Sequence, residues 1–191
     1  MVSMADRLRE LLLAPEEIAR PDVAATRDAA VLVPLYLERG ELHAVLTRRH
    51  AELRRHGGEI SFPGGRQESD AEDLLDAALR EAEEEIGLAR EAVALVGGLT
   101  PVPTFVSGYV IYPFVALIEP SRPWLPSEHE VEAVLECSLA ELAASRRRQR
   151  ISRDGVSLTA DAYAVGDELV WGATARIVGE LLERVAPLLS R

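Results

Sequence analysis

The sequence predicts an α+β protein, a mixed β-sheet flanked by helices, and three observations lead there. Ala29 to Leu37 is an apolar, β-branched run of strand length. Asp70 to Ile86 places Leu74, Leu75, Ala78, Leu79, Ala82 and Ile86 at helical spacing. Further strand-like runs are interspersed with helical ones rather than grouped at one end. The chain has 191 residues, about one domain's worth. It reads as a single domain over 1–191, with an N-terminal helical extension at 1–25 and a closing helix at 173–189. A chain of this size buries about 70% of its unfolded surface, so it needs neither disulfides nor a structural metal.

Taken in order, residues 1–20 follow a helical pattern with Leu8, Leu11 and Leu12 on one face, until Pro15 and Pro21 break it. Ala29 to Leu37 follows as a strand, in which Pro34 suggests an edge or a bulge. Residues 38–41 form a turn, and Leu42 to Arg48 is its hairpin partner. Residues 49–58 read as a basic loop, Glu59 to Phe62 as a short strand, and Pro63-Gly64-Gly65 as a turn. Ser69 with Glu72 makes a capping-box pattern for the helix from Asp70, and Gly87 stands where a C-terminal cap belongs. Ala92 to Leu99, Tyr109 to Ile118 and Glu132 to Cys137 are strand-like. Ser138 to Arg148 is helical, Leu158 to Tyr163 and Glu168 to Trp171 are strands, and Ala173 to Leu189 is the last helix.

The net charge is −11, from 32 acidic and 21 basic side chains. An acidic field opposes non-specific binding to nucleic acid or to an anionic membrane, so neither is expected as a partner; the expected partner is a small molecule. Every basic side chain is Arg. The single cysteine, Cys137, excludes an intramolecular disulfide and a multi-cysteine zinc site. No signal peptide and no run of about 18 apolar residues is present, which points to the cytoplasm.

The chemistry concentrates in Arg80-Glu81-Ala82-Glu83-Glu84-Glu85-Ile86-Gly87-Leu88. At about 100° per residue, Glu84 and Glu85 fall roughly 60° and 40° to either side of Glu81, while Glu83 lies on the opposite side. Three like charges on one arc repel one another, which suits a bound cation. Carboxylate oxygens are the hard donors that Mg²⁺ or Mn²⁺ takes, with positions left for water and phosphate. Arg80, four residues before Glu84, can hold that carboxylate in place. A solvated acidic face with one i,i+4 salt bridge is the alternative. Pro63-Gly64-Gly65 upstream lets backbone approach a ligand closely.

These residues resemble the Nudix box, G-x5-E-x7-R-E-U-x-E-E-x-G-U, where U is aliphatic. Arg80 to Leu88 match its second half, Glu72 lies eight positions before Arg80, and Gly65 precedes Glu72 with one residue more than the pattern. The resemblance implies the Nudix α/β/α sandwich and hydrolysis of a nucleoside diphosphate linked to another group. It implies Arg80, Glu81, Glu84 and Glu85 as catalytic residues. Glu81, Glu84 and Glu85 would bind Mg²⁺ or Mn²⁺ with the Gly65 carbonyl, Arg80 would orient a glutamate, and Glu72 would fix the loop to the helix.

The segment from Leu46 to Gly65 is similar to the signature of the coenzyme A pyrophosphatases within that family. Leu46, Thr47, Arg49, Gly57, Phe62, Pro63, Gly64 and Gly65 fall in place, His50 stands where Ser is usual, and Arg54 or Arg55 fills the second basic position. Trp171-Gly172-Ala173-Thr174-Ala175-Arg176 looks like a later block of the same subgroup. Coenzyme A or an acyl derivative is then the implied substrate, with 4′-phosphopantetheine and adenosine 3′,5′-bisphosphate as products. Its phosphates need local cations in an acidic chain, and Arg48, Arg49, Arg54 and Arg55 supply them beside Gly64 and Gly65; the guanidinium fork suits phosphate oxygens. Glu84, Glu128 or Glu130 could serve as general base. Two other readings stay open: a Nudix hydrolase of ADP-ribose or a dinucleotide, and a non-catalytic ligand sensor of the same fold.

Overall fold

A computed structural model describes residues 2–23, 27–53, 57–69, 71–104, 108–120, 122–153 and 156–189. The candidate residues Arg54 and Arg55 lie outside the described set.

The main sheet is built on β1 (Arg27–Glu38). Its apolar run forms a strand buried on both faces, and it pairs in parallel with β7 (Tyr109–Ile118) from Arg27↔Tyr109 to Leu35↔Leu117. The other side of β1 changes partner along its length. Ala29 to Val31 pair antiparallel with β4 (Gly64–Arg66), and Leu35 to Glu38 with β2 (Glu41–Arg49). Pro34, which has no N–H to donate, falls in the gap between these partners. It therefore marks a switch inside a central strand, not the edge strand its presence suggests. β3 (Ile60–Ser61) and β8 (Val131–Ser138) join β2, while β5 (Val93–Gly98) and β6 (Val102–Pro103) join β7. Among the described residues this makes an eight-stranded mixed sheet.

Alternation along β1 loads both faces. Ala30, Leu32 and Tyr36 pack with Ala78, Leu79, Ala82 and Ile86 of α2 (Leu74–Ile86). Val33 and Leu35 pack with Leu8 of α1 (Met4–Leu11), Leu139 and Leu142 of α3 (Leu139–Ser145), and Val178, Leu181 and Val185 of α4 (Gly172–Leu189). The result is the α/β/α sandwich that the sequence predicts.

Several boundaries differ from the sequence reading. α1 stops at Leu11 because Leu12 is extended and Leu13 bridges to Gly98; only a single 3₁₀ turn, Pro15–Glu17, follows in the stretch read as helix. α2 starts at Leu74, with Asp73 as its N-cap accepting from the Leu75 N–H (2.8 Å), rather than at Asp70 with a Ser69–Glu72 box. Pro63-Gly64-Gly65 is not only a turn, since its glycines form β4. The helix read over Ser138 to Arg148 ends at Ser145. Arg147 to Arg153 form β9, which pairs antiparallel with β10 (Val156–Val165). With β11 (Glu168–Val170) these make a second, three-stranded sheet.

Candidate functional site

The site lies where β4 passes beneath α2. Pairing with β1 brings Gly64 and Gly65 to the sheet surface, and the apolar face of α2 settles Ala82 and Ile86 onto the same surface. Glu85, next to Ile86 on the inward side, is dragged into the protein and is 2% exposed. Its Oε1 accepts from Arg49 Nη1 (3.0 Å) and its Oε2 from the Gly64 N–H (3.1 Å). Burial pushes its carboxyl up to about 7, against the pull of Arg49 and of the Gly64 N–H. Glu81, half-buried, is raised as well, first by burial and further by Glu84 and Glu130, with Arg80 opposing.

Arg80 is the hub of the helix face. Its Nε donates to Glu72 Oε1 (2.9 Å), and its Nη1 to Glu81 Oε1 (3.0 Å) and Glu84 Oε2 (3.3 Å). Its Nη2 donates to the Arg66 carbonyl (3.2 Å). The bond to Glu72 leads the causes that hold its guanidinium charge above the ordinary range. Glu72 in turn accepts the Glu68 N–H (2.6 Å), and its backbone carbonyl accepts from the Gln67 side chain. Arg80 and Glu72 thus bind the loop after β4 to α2, and Arg80 sits low in its own carboxylates instead of pointing to solvent.

Arg49, Gly64 to Glu68, Arg80, Glu81, Glu84, Glu85 and Glu130 line one cleft of about 930 Å³. Gly65 is pressed against Glu81: a Cβ there would stand 2.5 Å from the carboxyl carbon, so a side chain at this position would push the Glu81 carboxylate aside. Glu130 comes from the turn before β8. That turn is tied to α2 by the Ser127 N–H donating to the Glu85 carbonyl (2.9 Å) and to the residue after β2 by the His50 N–H donating to the Glu130 carbonyl (3.0 Å).

The structure therefore gathers Arg49, Gly64, Gly65, Arg80, Glu81, Glu84 and Glu85, and leaves Glu83 exposed outside the cleft. It separates Arg48. Successive strand residues face opposite ways, and Arg48 turns to Glu132 (3.2 Å) and Glu168, away from the cleft that Arg49 enters. Arg66, Gln67 and Glu68 complete the lining; the extra residue between Gly65 and Glu72 was the available signal for that loop. Glu130 stands beside Glu85 and Arg49, whereas Glu128 lines a neighbouring recess with His50 and His129.

Among the described residues no three His, Cys, Asp or Glu side chains close into a ready cage. The carboxylates of Glu81, Glu84 and Glu85 instead open onto one cleft beside the Gly65 backbone. That donor set fits a hard divalent cation that keeps positions for water and phosphate oxygens.

Comparison with known proteins agrees with this geometry. The NUDIX domain model matches residues 26–156. The chain belongs to the Nudix family. An uncharacterized Nudix hydrolase, NudL, of Salmonella newport is 40% identical over 157 residues, 81% of either chain. Among solved structures, a C. elegans Ap4A hydrolase in a binary complex superposes with a TM-score of 0.59 at 16% identity, over 85% of this chain and 99% of that one. The NUDIX domain of Shewanella oneidensis NrtR, complexed with ADP ribose, gives 0.58 at 16%, over 96% and 99%. Both likenesses are of fold. Nudix hydrolases act on nucleoside diphosphate derivatives and generally use divalent ions such as Mg²⁺ or Mn²⁺. In this Nudix chain no described helix is long and apolar enough to cross a membrane.

Proposed function

We propose that the protein is a divalent-metal-dependent hydrolase of the diphosphate bond in coenzyme A or its acyl derivatives, releasing 4′-phosphopantetheine and adenosine 3′,5′-bisphosphate. The observation that carries the hydrolytic reading is the cleft in which Arg80 holds Glu84 and, against the Gly65 backbone, Glu81, while Glu85 is buried beside Arg49. The choice of coenzyme A is supported by the likeness of the segment from Leu46 to Gly65 to the coenzyme A pyrophosphatases; the 40% identity to NudL supports a Nudix hydrolase and no particular substrate.

Glu81, Glu84 and Glu85, with the Gly65 carbonyl, would hold Mg²⁺ or Mn²⁺. Such an ion supplies charge neutralisation at the diphosphate oxygens and a lowered water pKa. Arg80 keeps Glu81 and Glu84 in one arrangement, which saves reorganisation when substrate binds. The close glycine backbone leaves room for the diphosphate, and Arg49 adds a cation on the strand side. Glu84 or Glu130, both on the cleft, would take a proton from the attacking water. Arg54 and Arg55 remain the candidates for reading the 3′-phosphate.

The test is turnover with and without Mg²⁺ or Mn²⁺ on coenzyme A, dephospho-coenzyme A, ADP-ribose, NADH and nucleoside triphosphates. The expected result is metal-dependent cleavage with coenzyme A preferred. Preference for ADP-ribose or NADH would refute the coenzyme A assignment and keep the hydrolase; absence of turnover on every substrate would refute both.

A further inference from the structure

Arg49 stands between two carboxylates of unequal burial. Its Nη1 donates to Glu85 Oε1 (3.0 Å) and its Nη2 to Glu130 Oε2 (3.2 Å). Glu85 is deep in the protein, whereas the Glu130 side chain is 49% exposed at the rim. The main chain of Arg49 is fixed: its N–H donates to the Glu59 carbonyl and its carbonyl accepts the Gly58 N–H, both at 3.1 Å. Glu130 is fixed too, its N–H donating to the Ser127 carbonyl (3.2 Å). Only side-chain torsions separate the guanidinium from the open cleft shared with Gly64, Gly65, Glu81 and Glu84.

We propose that Arg49 is a positioning residue that exchanges partners. It balances the charge of buried Glu85, yields that carboxylate to a divalent cation, and, still held by Glu130, presents its fork to the substrate diphosphate. The inference rests on the reading of Glu85 as a cation ligand. Glu85 Oε2 is already engaged by the Gly64 N–H, so a cation and the guanidinium meet at Oε1. Two positive groups on one poorly solvated carboxylate repel strongly, and each weakens the other's hold. A guanidinium released from Glu85 finds in the diphosphate a planar pair of anionic oxygens suited to bidentate donation. Arg48 is no substitute, since Glu132 and Glu168 engage it on the opposite face. Arg49 then serves the diphosphate common to all Nudix substrates rather than the 3′-phosphate, and its loss lowers coenzyme A and dephospho-coenzyme A hydrolysis in equal proportion.

The test uses calorimetry on the full chain at fixed ionic strength. Wild type, Arg49→Gln, Arg49→Lys and Glu85→Gln are titrated with Mn²⁺ alone, and then with α,β-methylene-ADP at saturating Mn²⁺. Arg49→Gln is expected to bind Mn²⁺ on the order of 10-fold more tightly and α,β-methylene-ADP on the order of 10-fold more weakly, the scale of one charge-assisted hydrogen bond. A purely structural role for Arg49 would weaken both. Arg49→Lys keeps the charge without the fork, so Mn²⁺ affinity stays near wild type while the analogue is lost; this variant carries the test if Arg49→Gln does not fold. Weaker or unchanged Mn²⁺ binding in a folded Arg49→Gln overturns the exchange, as does an analogue affinity equal to wild type in Arg49→Lys. Glu85→Gln separates the two levels. If it binds Mn²⁺ like wild type, the cation reading of Glu85 falls and the exchange with it. If it loses Mn²⁺ while Arg49→Gln matches wild type, only the exchange falls.

Discussion

Replacing Gly65 with Ala probes the contact between β4 and α2. The added Cβ would lie 2.5 Å from the Glu81 carboxyl carbon and 3.0 Å from Oε2, where ordinary contacts begin at 3.4 Å. The carboxylate must therefore retreat by about 1 Å, enough to loosen its 3.0 Å bond from Arg80. The obstructing atoms end a flexible side chain, so the strand itself can stay, at a cost of about 1 kcal/mol, or roughly 2–4 °C in melting temperature at this chain length. A misplacement of about 1 Å at a reacting centre costs on the order of 10²-fold in rate, and kcat is expected to fall by that much. Gly64→Ala is the control with the opposite profile. Its Cβ would meet backbone, 2.6 Å from Val31 Cα, at a φ of +155° that side chains avoid, so a loss of about 3 kcal/mol or more is expected. Steady-state kinetics with Mn²⁺ and a thermal melt on both variants decide the matter. A Gly65→Ala enzyme with kcat within threefold of wild type, or one as unstable as Gly64→Ala, would refute the argument.

Further outcomes follow from the same geometry. Glu85→Gln keeps the shape of the buried side chain and removes its charge, so kcat should drop at least about 10²-fold, while exposed Glu83→Gln should leave kcat nearly unchanged; a steady-state comparison of the pair checks this. Arg48→Ala should change kcat/KM for coenzyme A less than twofold, because Glu132 and Glu168 hold that guanidinium away from the cleft, and kinetics on coenzyme A and dephospho-coenzyme A measure it. Burial pushes the Cys137 thiol up to about 12, so iodoacetamide at mildly alkaline pH should label the denatured chain and spare the native one, as read by mass spectrometry. The sign for stability follows: an unfolded thiol ionises from about 9 and the folded one only near 12, so this group lowers native stability as pH rises across that window.

Helical spacing alone separates Glu81, Glu84 and Glu85 from Glu83, and the cleft lining follows that division. What spacing does not carry is their unequal burial, because the sheet covers only the Glu85 flank of the arc; Glu84 remains 59% exposed. The opposite fates of Arg48 and Arg49 follow from strand alternation, but only once β2 is known to run on to Arg49 instead of ending at Arg48. The start of α2 offers two plausible caps within a few residues. Asp73 prevails because Arg80, two turns into the helix, draws Glu72 to itself. Arg146 to Arg150 looks like a helix end because cations there suit the helix dipole. Pairing with β10, a tertiary effect, makes it a strand.

The segment recognised by the family model, 26–156, does not coincide with what the sheet needs to stay covered. One face of the sheet is roofed by α3 together with α1 and α4, and α1 and α4 lie outside that segment. Leu8 is fully buried there, and Arg184 Nη1 donates to the Leu11 carbonyl (3.3 Å), stitching the two flanks together. Expressing 26–156 alone would strip away Leu8, Leu12, Val178, Leu181 and Val185 together and lay Val33, Leu35, Leu46 and Val115 open to water. An apolar area that large on a free sheet is an invitation to aggregate. The unit that evolution reuses is therefore smaller than the unit that physics will fold. A shortened version for crystallography or display should keep Ser3, whose side chain caps α1 by accepting the Asp6 N–H, rather than trim up to the edge of the recognised segment.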